Sequence, residues 1–397
     1  MSSYYWKTAA LCAVMFCCQS VFAQVGDPVY GKELLAGRRC TTCHSVAGEG
    51  GGSASDLGKP SNEQSSPAAL TARMWVHGPV MWAAAKEKQA GIAALTPLEI
   101  ANFYAYLYSL RYFDPPGDAD RGKGVFASKR CSQCHADGEV EAEAGAVAEA
   151  GTAAAAKPGP PVAQWLDFAD RVTWLSAMWN HGASMEAEMK RLGADWPRFS
   201  LQEMVDLLTY LENHPDLGLV NPGMQMGDWT AGEDAFADQG CAGCHTVGEA
   251  ADGKIDLVAA AKENPQLTGL AVAMWNHRPE MAAAASQREV ELKPLDESTT
   301  ADLLAYLFQR GYFSSHGDAD RGKTVFGEKS CARCHEGDEA EAPKLSGADE
   351  PYNEMRLAAA VFGHGLEMKA EMDFLEIEWP ELSEQDVLDL IAFLNRN

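Results

Sequence analysis

The chain has 397 residues, 46% of them hydrophobic, and its 32 basic and 57 acidic side chains give a net charge of −25. That length exceeds one ordinary core, and the apolar content excludes wholesale disorder. So acidic a surface repels nucleic acid and anionic lipid and steers instead toward basic patches on other proteins.

At the N-terminus Lys7 precedes an apolar stretch from Thr8 to Phe22, and Val21-Phe22-Ala23 offers a signal-peptidase site. The sequence therefore predicts a signal peptide over 1–23, export to the periplasm and cleavage after Ala23. The stretch falls short of the ~20 apolar residues that a membrane span needs, and no later segment reaches that length. Cys12, Cys17 and Cys18 leave with the signal, and the remaining eight of the 11 cysteines form four pairs.

The pairs read Cys40-Thr-Thr-Cys43-His44, Cys131-Ser-Gln-Cys134-His135, Cys241-Ala-Gly-Cys244-His245 and Cys331-Ala-Arg-Cys334-His335. Each is C-x-x-C-H, the attachment pattern of c-type haem. Two thiols at this spacing can add to the two vinyl groups of one porphyrin, and the next histidine reaches the iron. A zinc ribbon would need its second pair within roughly 15–20 residues, far closer than these pairs stand. A thioredoxin-like dithiol needs a βαβ context that is absent here. Four haem c groups are expected.

The surrounding sequence repeats with the motifs. Gly117 to Lys123 before the second motif recurs unchanged as Gly317 to Lys323 before the fourth, so the order is A-B-A-B. A helix leads into each motif, with Gly122 and Phe126, Gly232 and Phe236, or Gly322 and Phe326 in fixed places; Leu35 takes the aromatic place in the first repeat. Each repeat ends in a helix carrying an aromatic-Leu pair: Tyr106-Leu107, Tyr210-Leu211, Tyr306-Leu307 and Phe393-Leu394. Val387, Leu390, Ile391 and Leu394 mark one buried face of the last such helix. Glycine on the first helix facing an aromatic on the last allows a close crossing. The repeats divide as 24–113, 114–222, 223–313 and 314–397. An Ala/Glu/Pro-rich insertion at 139–161 reads as a surface spacer, and Pro115-Pro116-Gly117 and Asn221-Pro222-Gly223 as joints.

Between motif and last helix lies a second constellation: Met74-Trp75-Val76-His77 to Met81, Met178-Trp179-Asn180-His181 to Met185, Met274-Trp275-Asn276-His277 to Met281, and the divergent Val361-Phe362-Gly363-His364 to Met368. Histidine and methionine stand four apart, on one helix face. Either recurs in register four times and could complete the iron's coordination. His214 and His316 have no counterparts in other repeats and read as joint or surface residues.

Each repeat resembles a class I cytochrome c domain, in which the first and last helices cross beside the haem. The resemblance spans essentially the whole mature chain and implies an all-α fold of four tandem domains. It favours Met81, Met185, Met281 and Met368 as sixth ligands over His77, His181, His277 and His364, with the tryptophans and Phe362 packed on the rings. It also implies a periplasmic electron carrier rather than an enzyme, working with redox partner proteins and without nucleic acid. Two alternatives are a subunit of a larger respiratory oxidoreductase and a peroxidase-like haem enzyme with one five-coordinate site, for which the divergent fourth repeat is the candidate.

Overall fold

The computed structural model describes residues 26–46, 48–59, 66–110, 114–137, 159–165, 171–215, 217, 227–261, 266–312, 317–336, 342–345, 347–348 and 351–396. The signal segment, most of the insertion, the joint at 221–223 and His316 lie outside these residues. The fold is mainly helical, and the described helices fall into four like groups.

The first group holds α1 (Pro28–Gly37), α2 (Pro67–Glu87) and α3 (Pro97–Ser109). The second holds α4 (Ala119–Ser128), the one-turn α5 (Cys131–Cys134), α6 (Arg171–Leu192) and α7 (Leu201–Glu212). The third holds α8 (Trp229–Asp238), the short α9 (Leu257–Ala260), α10 (Leu267–Gln287) and α11 (Glu297–Gln309). The fourth holds α12 (Ala319–Glu328), the short α13 (Ala332–His335), α14 (Glu354–Phe374) and α15 (Glu384–Leu394). Two short strand pairs, Ser45–Val46 with Glu49–Gly50 and His245–Thr246 with Ile255–Asp256, lie just after the first motif and at the end of the third.

Caps set the helix starts. Asp27, Asp118, Asp228 and Asp318 each accept hydrogen bonds from the first turn of the leading helix. Thr96 with Glu99, Ser200 with Glu203 and Ser383 with Asp386 form capping boxes on three of the last helices.

In every group the first and last helices pack against each other, and glycine permits the contact. A Cβ on Gly31, Gly122, Gly232 or Gly322 would stand 1.9–2.0 Å from a carbonyl oxygen of the last helix. The same atom would touch the Cβ of Tyr106, Tyr210, Tyr306 or Phe393, the aromatics of the recurring pairs. One more bond recurs at each crossing. The backbone N–H of Asp27, Asp118, Asp228 and Asp318 donates to Asn102, Asp206, Asp302 and Asp389 respectively.

The unchanged heptapeptide has a physical reason here. Arg121 grips the buried Asp206 through Nε and Nη2, both at 2.7 Å, and Arg321 does the same to the buried Asp389 through Nε. Gly117 and Gly317 lie against the last helix too closely for any Cβ.

The groups do not associate in chain order. Group two shares one apolar core with group three. In group one, α2 packs on α14 and α15 of group four, and Ala358 and Ala359 complete its core. Tyr108 meets Phe308 edge-on at 5.4 Å, which joins groups one and three. The succession through space is four, one, three, two.

Both tight seams use one lock. Pro79 and Pro279 stand inside α2 and α10; a proline lacks the N–H that would bind the carbonyl four residues back. Those carbonyls belong to Trp75 and Trp275, and they accept instead from the indoles of Trp379 and Trp196 in the partner groups, at 3.1 and 2.9 Å. The rings stack pairwise with centroids 4.5 Å apart. Trp75 and Trp275 return the bond, donating to the carbonyls of Pro380 and Pro197.

Between groups two and three asparagines add a reciprocal clasp. Asn180 takes both the N–H and the carbonyl of Leu295, and Asn276 takes both from Phe199. Val76 and Gly363 replace these asparagines at the other seam.

Candidate haem sites

In each group two residues separate the end of the leading helix from the motif. Arg39, Arg130, Gly240 and Ser330 hold positive φ between 62° and 81°, a left-handed turn that costs a non-glycine residue about 1 kcal/mol. The chain swings into a single helical turn carrying both cysteines. In three groups the histidine N–H closes that turn on the first cysteine's carbonyl, at 2.8–3.0 Å, and in the third Cys244 N–H donates to the Cys241 carbonyl.

All eight cysteines are half-buried and free. Burial pushes the Cys131, Cys241 and Cys331 thiols up to about 11, and that of Cys40 upward as well. A redox dithiol has the opposite tendency, since it needs a low thiol pKa. Among the described residues no group of three or more His, Cys, Asp or Glu is placed to hold a bare metal ion.

The motif imidazoles are anchored from behind. Nδ1 of His44, His135 and His335 meets the backbone carbonyl of Ser55, Pro160 and Pro343, at 2.8–2.9 Å. Such a bond fixes ring and tautomer and leaves Nε2 for a metal. Nδ1 of His245 is buried without a closed hydrogen bond. Gly159 lies so near His135 that a Cβ would stand 2.6 Å from Nδ1. That glycine sits at the end of the insertion, where composition gave no hint of it.

The long helices α2, α6 and α14 bring a second histidine to face the first. Ring centroids are 6.4 Å apart for His44 and His77, 5.7 Å for His135 and His181, and 6.1 Å for His335 and His364. In the third group His277 lies near enough to His245 to depress its pKa, after the larger effect of burial. Burial, then the facing motif histidine, lowers His77 and His181 likewise; neutral imidazole is the form that binds metal. Nε2 of His181 is buried with no hydrogen-bond partner. Met81, Met185, Met281 and Met368 are half-buried one turn further along.

The tryptophans are not placed as the family resemblance implies. Trp75 and Trp275 belong to the seams, and Trp179 lies under the guanidinium of Arg278 at 4.8 Å while donating to the Lys293 carbonyl. Phe362 packs against the core of group one. A helix offers only so many faces: the seam takes the indoles, and histidine keeps the motif side. His214 is buried, with Nε2 3.0 Å from Asp137, which also accepts from Tyr210; it is no surface residue.

Paired thiols, an anchored imidazole and a buried, unpartnered imidazole nitrogen opposite fit an iron porphyrin. A cytochrome c family model matches residues 28–111 and 319–397, the first and fourth groups. In these two regions the chain is cytochrome c-like. Its cytochrome c regions imply covalently bound haem c and haem-based electron transfer. Curated proteins and solved structures give no match to the chain. Among the described residues no helix is long and apolar enough to cross a membrane.

Proposed function

We propose that the protein is an exported, periplasmic electron carrier that holds four haem c groups, one in each of four tandem cytochrome c-like domains. The carrying observation is the fourfold recurrence of one local structure, a left-handed residue followed by a C-x-x-C-H turn, with a facing histidine in three of the four groups, although the family model covers only the first and fourth groups. Cys40 and Cys43, Cys131 and Cys134, Cys241 and Cys244, and Cys331 and Cys334 would bind the porphyrins; His44, His135, His245 and His335 would hold the irons.

Bound haem supplies outer-sphere electron transfer, and the chain fixes ligands, burial and spacing. The close-packed long helices at each seam, α2 with α14 and α6 with α10, support a relay in the spatial order four, one, three, two. The outermost groups, four and two, are then the docking ends, and the net charge of −25 favours basic partner surfaces.

The fourth group keeps a facing histidine at the common spacing. Its divergent Phe362 and Gly363 fall at the seam positions, which favours a carrier over a haem enzyme. Reductive titration of the purified protein tests this reading. Four electrons per chain and no reduced haem that takes up carbon monoxide are expected; fewer electrons, or carbon monoxide bound at one haem in four, would contradict it.

A further inference from the structure

The facing imidazoles carry an inference about ligation that rests on the haem reading above. We propose that His77, His181, His277 and His364 are the sixth iron ligands, so that all four haems are bis-histidine and Met81, Met185, Met281 and Met368 bind no iron.

The spacing is the first argument. With a metal–nitrogen bond of about 2.0 Å, two imidazoles on one metal stand with ring centres roughly 6 Å apart. The observed separations are 6.4, 5.7 and 6.1 Å, in groups whose intervening segments differ in length and sequence. All three lie close to the separation that one shared metal would set.

Direction is the second. With Nδ1 of His44, His135 and His335 tied to carbonyls, Nε2 is the nitrogen each would offer to a metal. On the opposite side Nε2 of His181 is buried and makes no hydrogen bond. An orphaned nitrogen of that kind is costly unless something binds it. Methionine four residues on lies about 6 Å along the helix axis, so bringing its sulfur opposite the same imidazole would require the helix to slide by a turn. The seam opposes that slide, because Trp75, Trp275, Asn180 and Asn276 on these helices are bonded to backbone in the partner groups. Met185 has another place: it packs on the core shared by groups two and three.

The test is near-infrared magnetic circular dichroism and electron paramagnetic resonance of the oxidised holoprotein, with haem counted separately by pyridine haemochrome. Four low-spin bis-imidazole signals are expected, with no charge-transfer band from thioether sulfur. The variant with Met81, Met185, Met281 and Met368 all replaced by leucine should keep that spectrum, while His181→Ala should turn one haem in four high-spin. A thioether band in the native protein that the leucine variant loses would overturn the assignment. A haem count below four would instead fail the underlying reading.

Discussion

At the scale of single residues, the chemistry-bearing positions were the most legible. C-x-x-C-H states its own purpose through spacing, and the histidines and methionines of the second constellation both recur in register. What sequence could not show was direction: a histidine and a methionine four apart share a helix face, and only packing decides which one meets the motif imidazole. The left-handed residues before each motif were also hidden, because Arg39, Arg130 and Ser330 do not advertise positive φ as Gly240 does. Asp206 shows how a single buried carboxylate enters the energetics. Burial pushes its pKa up, but hydrogen bonds from Arg121, Gln202 and the Asp118 N–H outweigh that and hold it below the usual carboxylate range. A depressed folded pKa means the ionised form favours the native state. Its stabilisation is present above the unfolded value of about 3.9 and is lost as pH falls through the folded one. Thermal unfolding followed by circular dichroism should therefore show the native protein losing stability below about pH 4 more steeply than Asp206→Asn, which starts less stable at neutral pH. Parallel profiles for the two would refute this role.

At the scale of elements, the crossing of first and last helices was readable from glycine and aromatic placement, since close approach needs a missing Cβ. The long middle helix was readable only in part. Its histidine and its tryptophan sit two apart and so serve different neighbours, the motif imidazole and the seam. The proline two residues after His77 and His277 looks like a helix breaker, yet the helix continues because a partner tryptophan satisfies the carbonyl it frees. The asparagine clasp makes a sharper demand. Removing Asn180 strips the Leu295 N–H and carbonyl of their partners in a part-buried seam. Asn180→Ala should cost about 1–3 kcal/mol in chemical denaturation, whereas Val76→Ala at the corresponding place in group one should cost less. Equal losses would show that the clasp adds nothing beyond packing.

At the scale of the molecule, the A-B-A-B duplication was legible and the pairing was not. Each A repeat carries a Trp with Pro four residues on, and each B repeat carries the Trp-Pro that answers it, so groups one with two and three with four could have paired as readily as one with four and three with two. The asparagines break that degeneracy: groups two and three have them, and groups one and four have Val76 and Gly363. Matching like with like leaves no clasp half-made, a form of specificity by difference. The outcome is an interlocked chain in which the first and fourth groups, far apart in sequence, are neighbours. Every further statement about ligands, relay order and partners requires porphyrin on all four motifs. The intact mass of the exported, purified protein measures this directly: it should equal the chain from Gln24 plus four haems, and a mass with fewer than four, or none, would contradict the account.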